Sequence, residues 1–209
     1  MPQWYVPNTD NWHPRLYELQ FRLTPVGITA RRQETAVVGA SLDRYLRRGQ
    51  AVLEAGSGTG HYSLELVRRG ARVTATDASP AMVGYLSRRL QRLGWTDVQV
   101  RYGRLPDDLS VEGVFDGFIT IGVLNYVVHL EAALRSLTSL LVPGGWAIFS
   151  VPPLTSAGRR YEIGENLTRR RAYLRSDEEI EQATKAVGLR IDDMTTAAGV
   201  TRVVAATKI

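Results

Sequence analysis

A glycine-rich loop set between a short apolar run and an amphipathic stretch limits what this chain can fold into more than any other feature. Ala51-Val52-Leu53-Glu54-Ala55 runs directly into Gly56-Ser57-Gly58-Thr59-Gly60. The spacing that follows predicts a helix from His61 to Arg69, closed by Gly70, a residue that tolerates the left-handed turn ending many helices. The unit then recurs. Arg72 to Thr76 reads as a second strand ending at Asp77. Ser79-Pro80 is a helix start, an N-cap hydroxyl followed by proline at the first helical position. Met82, Leu86, Leu90 and Leu93 mark the core face of that helix, and Gly94 ends it. Val98 to Tyr102 is a third strand. Phe115 to Ile121 is a fourth, nearly all apolar, as a strand covered on both faces should be. Leu130, Ala133, Leu134, Leu137 and Leu141 predict a helix closed by Pro143-Gly144-Gly145, and Trp146 to Val151 a fifth strand. Such alternation implies an α/β chain with a parallel sheet, helices on both faces, and ligands at the carboxyl ends of the strands.

The flanks read differently. Ser176-x-x-Glu179 is a capping box before a helix carrying Ile180, Ala183 and Val187. Leu189 to Met194 and Thr201 to Thr207 have no helix between them, so they should pair as an antiparallel hairpin around Ala198-Gly199. The first 50 residues predict two helices, near Arg15 to Leu23 and Arg31 to Arg47, divided by Thr24-Pro25-Val26-Gly27. With 209 residues, one domain is expected. No cysteine is present and the three histidines lie far apart, so no disulfide, thiolate chemistry or metal site is expected. No secretory signal or apolar span is visible, which makes a cytoplasmic protein without membrane association the expectation. The net charge of +5 is concentrated late: six arginines and two acids lie between Val151 and Ser176.

The loop carries the chemistry. Its glycines let backbone N–H groups approach a ligand at a helix N-terminus. An acid at the end of the next strand, Asp77, can accept both hydroxyls of a ribose. A dinucleotide loop would read G-x-G-x-x-G, but this one reads G-x-G-x-G, with Glu54 two residues before its first glycine. That acid would repel a pyrophosphate and suit an ammonium. The charge pattern therefore favours S-adenosylmethionine over NAD; a glycine turn that binds nothing is the remaining reading.

Four segments now resemble one family, the class I S-adenosylmethionine-dependent methyltransferases. They are Val52 to Gly60, Val73 to Met82, Phe115 to Leu124 and Leu140 to Gly145, in the family's order and spacing. The resemblance implies a Rossmann-like seven-stranded sheet of order 3-2-1-4-5-7-6 with the last strand antiparallel. It also implies four regions: a helical cap (1–48), a cofactor-binding core (49–153), an arginine-rich lid or insertion (154–176), and a C-terminal helix and hairpin (177–209). Carried over, Glu54 lies near the methionine ammonium; Gly56, Ser57, Gly58 and Gly60 line methionine and ribose. Asp77 holds the ribose, with Ala78 and Met82 against the adenine. Gly103, Arg104 and Leu105 stand where the family contacts the adenine amine; many members have an acid at the position of Arg104, so Asp107 and Asp108 are alternatives. Ile121, Gly122 and Val123 pass under the sulfonium.

The acceptor is less legible. Ile121 to Tyr126 lacks the Asn/Asp-Pro-Pro-aromatic pattern of amino-methyltransferases and the paired glutamates of protein arginine methyltransferases. What remains resembles small-molecule O-, N- or C-methyltransferases. Trp12, Tyr17, Asn125 and Tyr126 are the expected substrate contacts. His129 and Tyr126 are the expected catalytic groups; His61, beside the glycine loop, is the alternative base, and His13 belongs to the cap. The arginines admit an acidic substrate, an RNA or a solvated face, and the aromatic cap suits a flat acceptor. An RNA or protein methyltransferase is one alternative, although no nucleic-acid module is visible. A cofactor-binding protein that transfers no methyl is another. A homodimer is compatible with the family.

Overall fold

The computed structural model describes residues 13–95, 98–109, 111–167 and 171–209. Seven strands, β1 (Ala51–Ala55), β2 (Arg72–Asp77), β3 (Gln99–Tyr102), β4 (Phe115–Thr120), β5 (Leu141–Val151), β6 (Leu189–Ala197) and β7 (Thr201–Lys208), form one sheet in the order 3-2-1-4-5-7-6. The first five are parallel, and β7 runs antiparallel to both β5 and β6. The implied fold is therefore the observed one. Ala198 and Gly199, both at positive φ, turn the hairpin.

Neighbouring side chains on each strand face opposite ways, which gives the sheet two apolar layers. Val52, Ile119 and Ile148 pack under α2 (Pro25–Tyr45), α3 (His61–Arg68) and α4 (Pro80–Arg92). Leu53, Phe118 and Phe149 pack under α5 (Leu130–Thr138) and α7 (Asp177–Ala186). The caps form as expected. Ser79 accepts from Met82 N at the start of α4, and Ser176 and Glu179 complete a capping box on α7.

Three expectations change. Helix α2 begins at Pro25, because Thr24 caps it by accepting from Gly27 N at 3.0 Å; only Thr24 separates it from α1 (Pro14–Leu23). A Thr-Pro pair starts a helix as readily as it interrupts one. The later turns of α2 bury Val38 and Leu42 on the sheet, so this helix is core as well as cap. Leu141 belongs to β5, paired with Phe115, and not to the face of α5. Leu93 is half exposed beyond the end of α4.

Between β5 and α7 the chain makes one excursion, α6 (Ser156–Leu167). Its two ends are clamped together. Leu154 N donates to Arg175 O at 2.7 Å and Arg175 N to Pro152 O at 2.9 Å. The Arg175 guanidinium donates to the carbonyls of Val127 and Val128 at 2.7 and 2.8 Å. This arginine is therefore a structural clamp, not part of a basic surface.

Candidate active site

Strands β1 and β4 lie side by side, and the chain leaves their carboxyl ends for opposite sides of the sheet; the site forms there. Gly56 N and Ser57 N each donate to Thr76 O at 2.8 Å, which folds the loop back over the end of β2. Gly58 N donates to Asp77 Oδ2 at 2.7 Å, and Ser79 N to Asp77 Oδ1 at 2.8 Å. Gly56, Gly58 and Gly60 are all left-handed, at φ of 79°, 54° and 88°. A Cβ on Gly56 would sit 2.1 Å from Val123, so that valine packs directly on the loop.

Two acids meet beneath this loop. Glu54 is buried and accepts a hydrogen bond from Ser63 Oγ. Burial, with the Asp77 charge adding to it, pushes its carboxyl up to about 8. Burial also raises the pKa of Asp77, against hydrogen bonds from Ser79 and Gly58 that lower it.

The residues present fit S-adenosylmethionine. Each Asp77 oxygen accepts one backbone N–H and keeps a lone pair for a ribose hydroxyl. Ser57 Oγ is buried with no partner among the described residues, an orphan a ligand would satisfy. Burial favours the protonated form of Glu54, and a neighbouring cation would favour the charged one. We expect Asp77→Ala to weaken S-adenosylhomocysteine binding by about 1.5–3 kcal/mol, the value of a hydrogen bond to a charged group. Calorimetry on the folded variant reads this directly, and an unchanged affinity removes Asp77 from the site.

The other expected cofactor residues are placed unequally. Ala78 follows Asp77 at the carboxyl end of β2 and is half-buried. Met82 is fully buried in the core beside the loop. Gly103 N donates to the Asp77 carbonyl at 3.1 Å, and a Cβ there would overlap the Leu109 carbonyl. Arg104 bridges to Asp108 through the backbone, and its Nε is buried with no partner among the described residues. Leu105 puts its side chain into the core, which leaves only its backbone to a ligand. Ile121 and Gly122 line a neighbouring cavity, and Gly122 N donates to Ser150 Oγ at 2.9 Å.

That cavity has a volume of about 580 Å³, the size of a small-molecule site. Tyr17 and Phe21 of α1, Arg31 and Glu34 of α2, Asn125 and Tyr126 after β4, and Arg160, Tyr161 and Glu165 of α6 line it. Asn125 Nδ2 donates to Tyr161 Oη at 2.9 Å, and Tyr126 Oη donates to Glu165 Oε2 at 2.8 Å. Asn125 Oδ1 is buried with no partner among the described residues. Burial, reinforced by Tyr126 and Glu165, holds the Tyr161 hydroxyl far above its ordinary range. Tyr17 lies against Gly58 and joins the cavity to the glycine loop. Helix α1 is tied down beside it, with Thr59 Oγ1 donating to Glu18 at 2.6 Å and Arg89 facing Glu18 at 3.5 Å.

Of the expected acceptor residues, Tyr17, Asn125 and Tyr126 come together, and Trp12 lies outside the described residues. His129 does not join them. It is exposed at the N-cap of α5, in a shallow surface depression with Asp107, Glu131 and Arg135. That depression is separate from the cavity lined by Tyr17, Asn125 and Tyr126. His61 holds its Nε2 2.9 Å from Thr35 Oγ1, and burial with Arg31 nearby pushes it down to about 4, so it is uncharged at neutral pH. Sequence reasoning missed Arg31, Glu34, Tyr161 and Glu165. For α6 a signal existed, since Ala157, Tyr161 and Glu165 recur every fourth residue and form one helix face.

Among the described residues, no helix is long and apolar enough to cross a membrane. Residues 30–193 match the family described as a methyltransferase domain. The chain is 31% identical over 112 residues to the ubiquinone biosynthesis O-methyltransferase of Methylocella silvestris, covering 52% of this chain and 43% of the relative. It is 32% identical over 117 residues to the malonyl-[acyl-carrier protein] O-methyltransferase of Serratia marcescens, covering 56% and 43%. The match thus spans less than half the length of these curated relatives. In fold, it resembles the magnesium protoporphyrin IX methyltransferase of Synechocystis PCC 6803, with a TM-score of 0.71, 24% identity, and 90% and 89% of the two chains covered. With its strand order, its loop and a family match over most of its length, the chain belongs to the class I S-adenosylmethionine-dependent methyltransferases.

Proposed function

We propose that this chain transfers a methyl group from S-adenosylmethionine to a small-molecule acceptor held in the 580 Å³ cavity. The observation that carries the reading is the junction itself. Tyr17 and the Ile121-Gly122 turn join a cradle suited to ribose and an ammonium to a cavity walled by aromatic and hydrogen-bonding side chains. When bound, S-adenosylmethionine supplies a methyl carbon made electrophilic by a sulfonium. The rest is positioning, which can supply much of the rate when reacting atoms are held about 3 Å apart. The lining suits an acceptor with an aromatic or apolar body and a polar end. Tyr17, Phe21 and Tyr161 offer faces, Asn125 Oδ1 offers an acceptor to a hydroxyl, and Arg160 offers a cation to an acidic group.

If an O–H or N–H is methylated, its proton must leave. The group placed to receive it is Glu165, through the Tyr126 hydroxyl that already points at it. Tyr161 and Asn125 position that pair. Glu165→Gln should lower methyl transfer by about a hundredfold or more, the usual share of a general base, with S-adenosylhomocysteine affinity unchanged. His129→Ala should leave both untouched. A His129→Ala loss with full activity in Glu165→Gln would return the base to α5. The function itself is tested by titrating the chain with S-adenosylhomocysteine and with NAD(H). Binding of the first alone supports the reading; binding of NAD(H) alone overturns it.

A further inference from the structure

The helices that line the cavity each carry a second stripe facing solvent. On α1, Tyr17 and Phe21 turn inward while Leu16, Leu19 and Leu23 are 65%, 44% and 67% exposed. On α6, Tyr161 and Glu165 turn inward while Ile163 and Leu167 are 60% and 82% exposed. Ile28, in the first turn of α2, adds a sixth exposed aliphatic. Scattered apolar residues on a surface are ordinary, but six on the elements that frame one cavity form a rim.

Exposed basic groups dominate the rim: three arginines stand against the partly exposed Glu162 beside Ile163, while Glu18 of α1 is held by Thr59 and Arg89. Arg15 lies beside Leu16 and Leu19, Arg159 one turn before Ile163, and Arg160 next to it; all three are exposed and make no ion pair among the described residues. The acid on the inner side of α6, Glu165, is engaged by Tyr126. Aliphatic side chains framed by arginine fit an anionic lipid surface, where the aliphatics enter the acyl boundary and the guanidinium groups stay among phosphates. A second copy of the chain fits worse, because a twofold contact would bring one arginine-rich patch against the same patch.

We propose that the α1–α6 rim docks the protein on the surface of an anionic bilayer, with the mouth of the cavity toward the lipid. No membrane span is needed for this, and none exists among the described residues. The proposal goes beyond methyl transfer and does not depend on it.

The test is co-sedimentation of the full chain with vesicles of phosphatidylcholine alone or mixed with phosphatidylglycerol, at low and high salt. Binding should require phosphatidylglycerol and fall with salt. Arg15→Gln and Arg159→Gln should each weaken it about fivefold. Leu23→Asp and Leu167→Asp should weaken it more than about tenfold, because each removes a whole buried side chain. Melting temperature and S-adenosylhomocysteine affinity should stay at parental values in all four. No binding to phosphatidylglycerol vesicles overturns the proposal, as does binding that ignores these substitutions. A dimer in ultracentrifugation that Leu23→Asp dissolves, without vesicle binding, would assign the rim to a second copy instead. Vesicle binding without S-adenosylhomocysteine binding would keep the surface and defeat the proposed function; the reverse would do the opposite.

Discussion

Glu54→Gln should melt at a higher temperature than the parent chain at pH 9, and at nearly the same temperature at pH 5. The reason is linkage. In the folded chain the Glu54 carboxyl titrates at about 8, against 4.5 when unfolded. Below pH 4.5 both states hold the proton and nothing distinguishes them. Between 4.5 and 8 the folded state holds a proton the unfolded state has lost, so stability falls by up to about 1.4 kcal/mol for each pH unit. Above 8 the loss is complete, at several kcal/mol. Glutamine cannot ionise, and its amide oxygen can still accept from Ser63. The variant therefore escapes the loss, by roughly 10 °C in melting temperature at pH 9 for a chain of this size.

The same substitution should cost function. An ammonium beside Glu54 would draw its proton off and restore a charge pair, and glutamine cannot form that pair. S-adenosylhomocysteine affinity should fall about tenfold or more at pH 8, with a smaller effect at pH 6, where the parental carboxyl is itself mostly protonated. The parent should accordingly bind more tightly as pH rises from 6 to 8. Thermal melting and calorimetry at the two pH values check both halves. A variant no more stable at pH 9 would mean that burial does not raise the Glu54 carboxyl above its unfolded value. Equal affinities at pH 8 would take Glu54 out of the cofactor site.

The cofactor half of this site was readable from sequence because its parts are local. A strand, three glycines and an acid at the end of the next strand lie within 27 residues, from Ala51 to Asp77. Ser79-Pro80 and Ser176-x-x-Glu179 announced their helices for the same reason: a cap is a bond between near neighbours. The acceptor half depends on distant segments. Arg31 meets Tyr161 around one cavity only after α2 and α6 have folded to the same end of the sheet. Nothing in either segment alone says so. The arginine run divides residue by residue in a way its count does not show. Six arginines in one stretch suggested a basic lid, yet Arg175 spends its guanidinium on two carbonyls and Arg171 stacks 5.2 Å from the Tyr173 ring. Charge counts do not distinguish a clamp from a surface. Leu141 kept helical spacing with Leu137 by coincidence, and the pairing of β5 with β4 overrode it.

Gly158→Ala should leave cofactor binding in place and lower acceptor methylation by about a hundredfold. Gly158 lies in the first turn of α6 with ordinary helical backbone, so alanine meets no conformational objection there. Space is the objection. An added Cβ would fall 1.9 Å from the Pro153 carbonyl oxygen, and backbone cannot rotate away as a side chain can. The whole helix must shift, although its start is fixed by Gly158 N on Thr155 Oγ1 at 3.1 Å and by the Pro152–Arg175 clamp behind it. Arg160, Tyr161 and Glu165 move with it, breaking the Asn125–Tyr161 and Tyr126–Glu165 bonds. Overpacking of this kind costs about 1–3 kcal/mol of stability, which a chain of this size can survive folded. A displacement of 1 Å in a site that works by positioning can cost about a hundredfold in turnover. Gly164 supplies the control on the same helix. A Cβ there meets nothing within 4 Å, so Gly164→Ala should gain up to about 1 kcal/mol from helix propensity and keep full activity. Melting temperature, S-adenosylhomocysteine affinity and methyl transfer measured on both variants separate the outcomes. Were Gly158→Ala to transfer methyl at the parental rate, α6 would not form a wall of the acceptor site, and the roles given to Tyr161 and Glu165 would fall together.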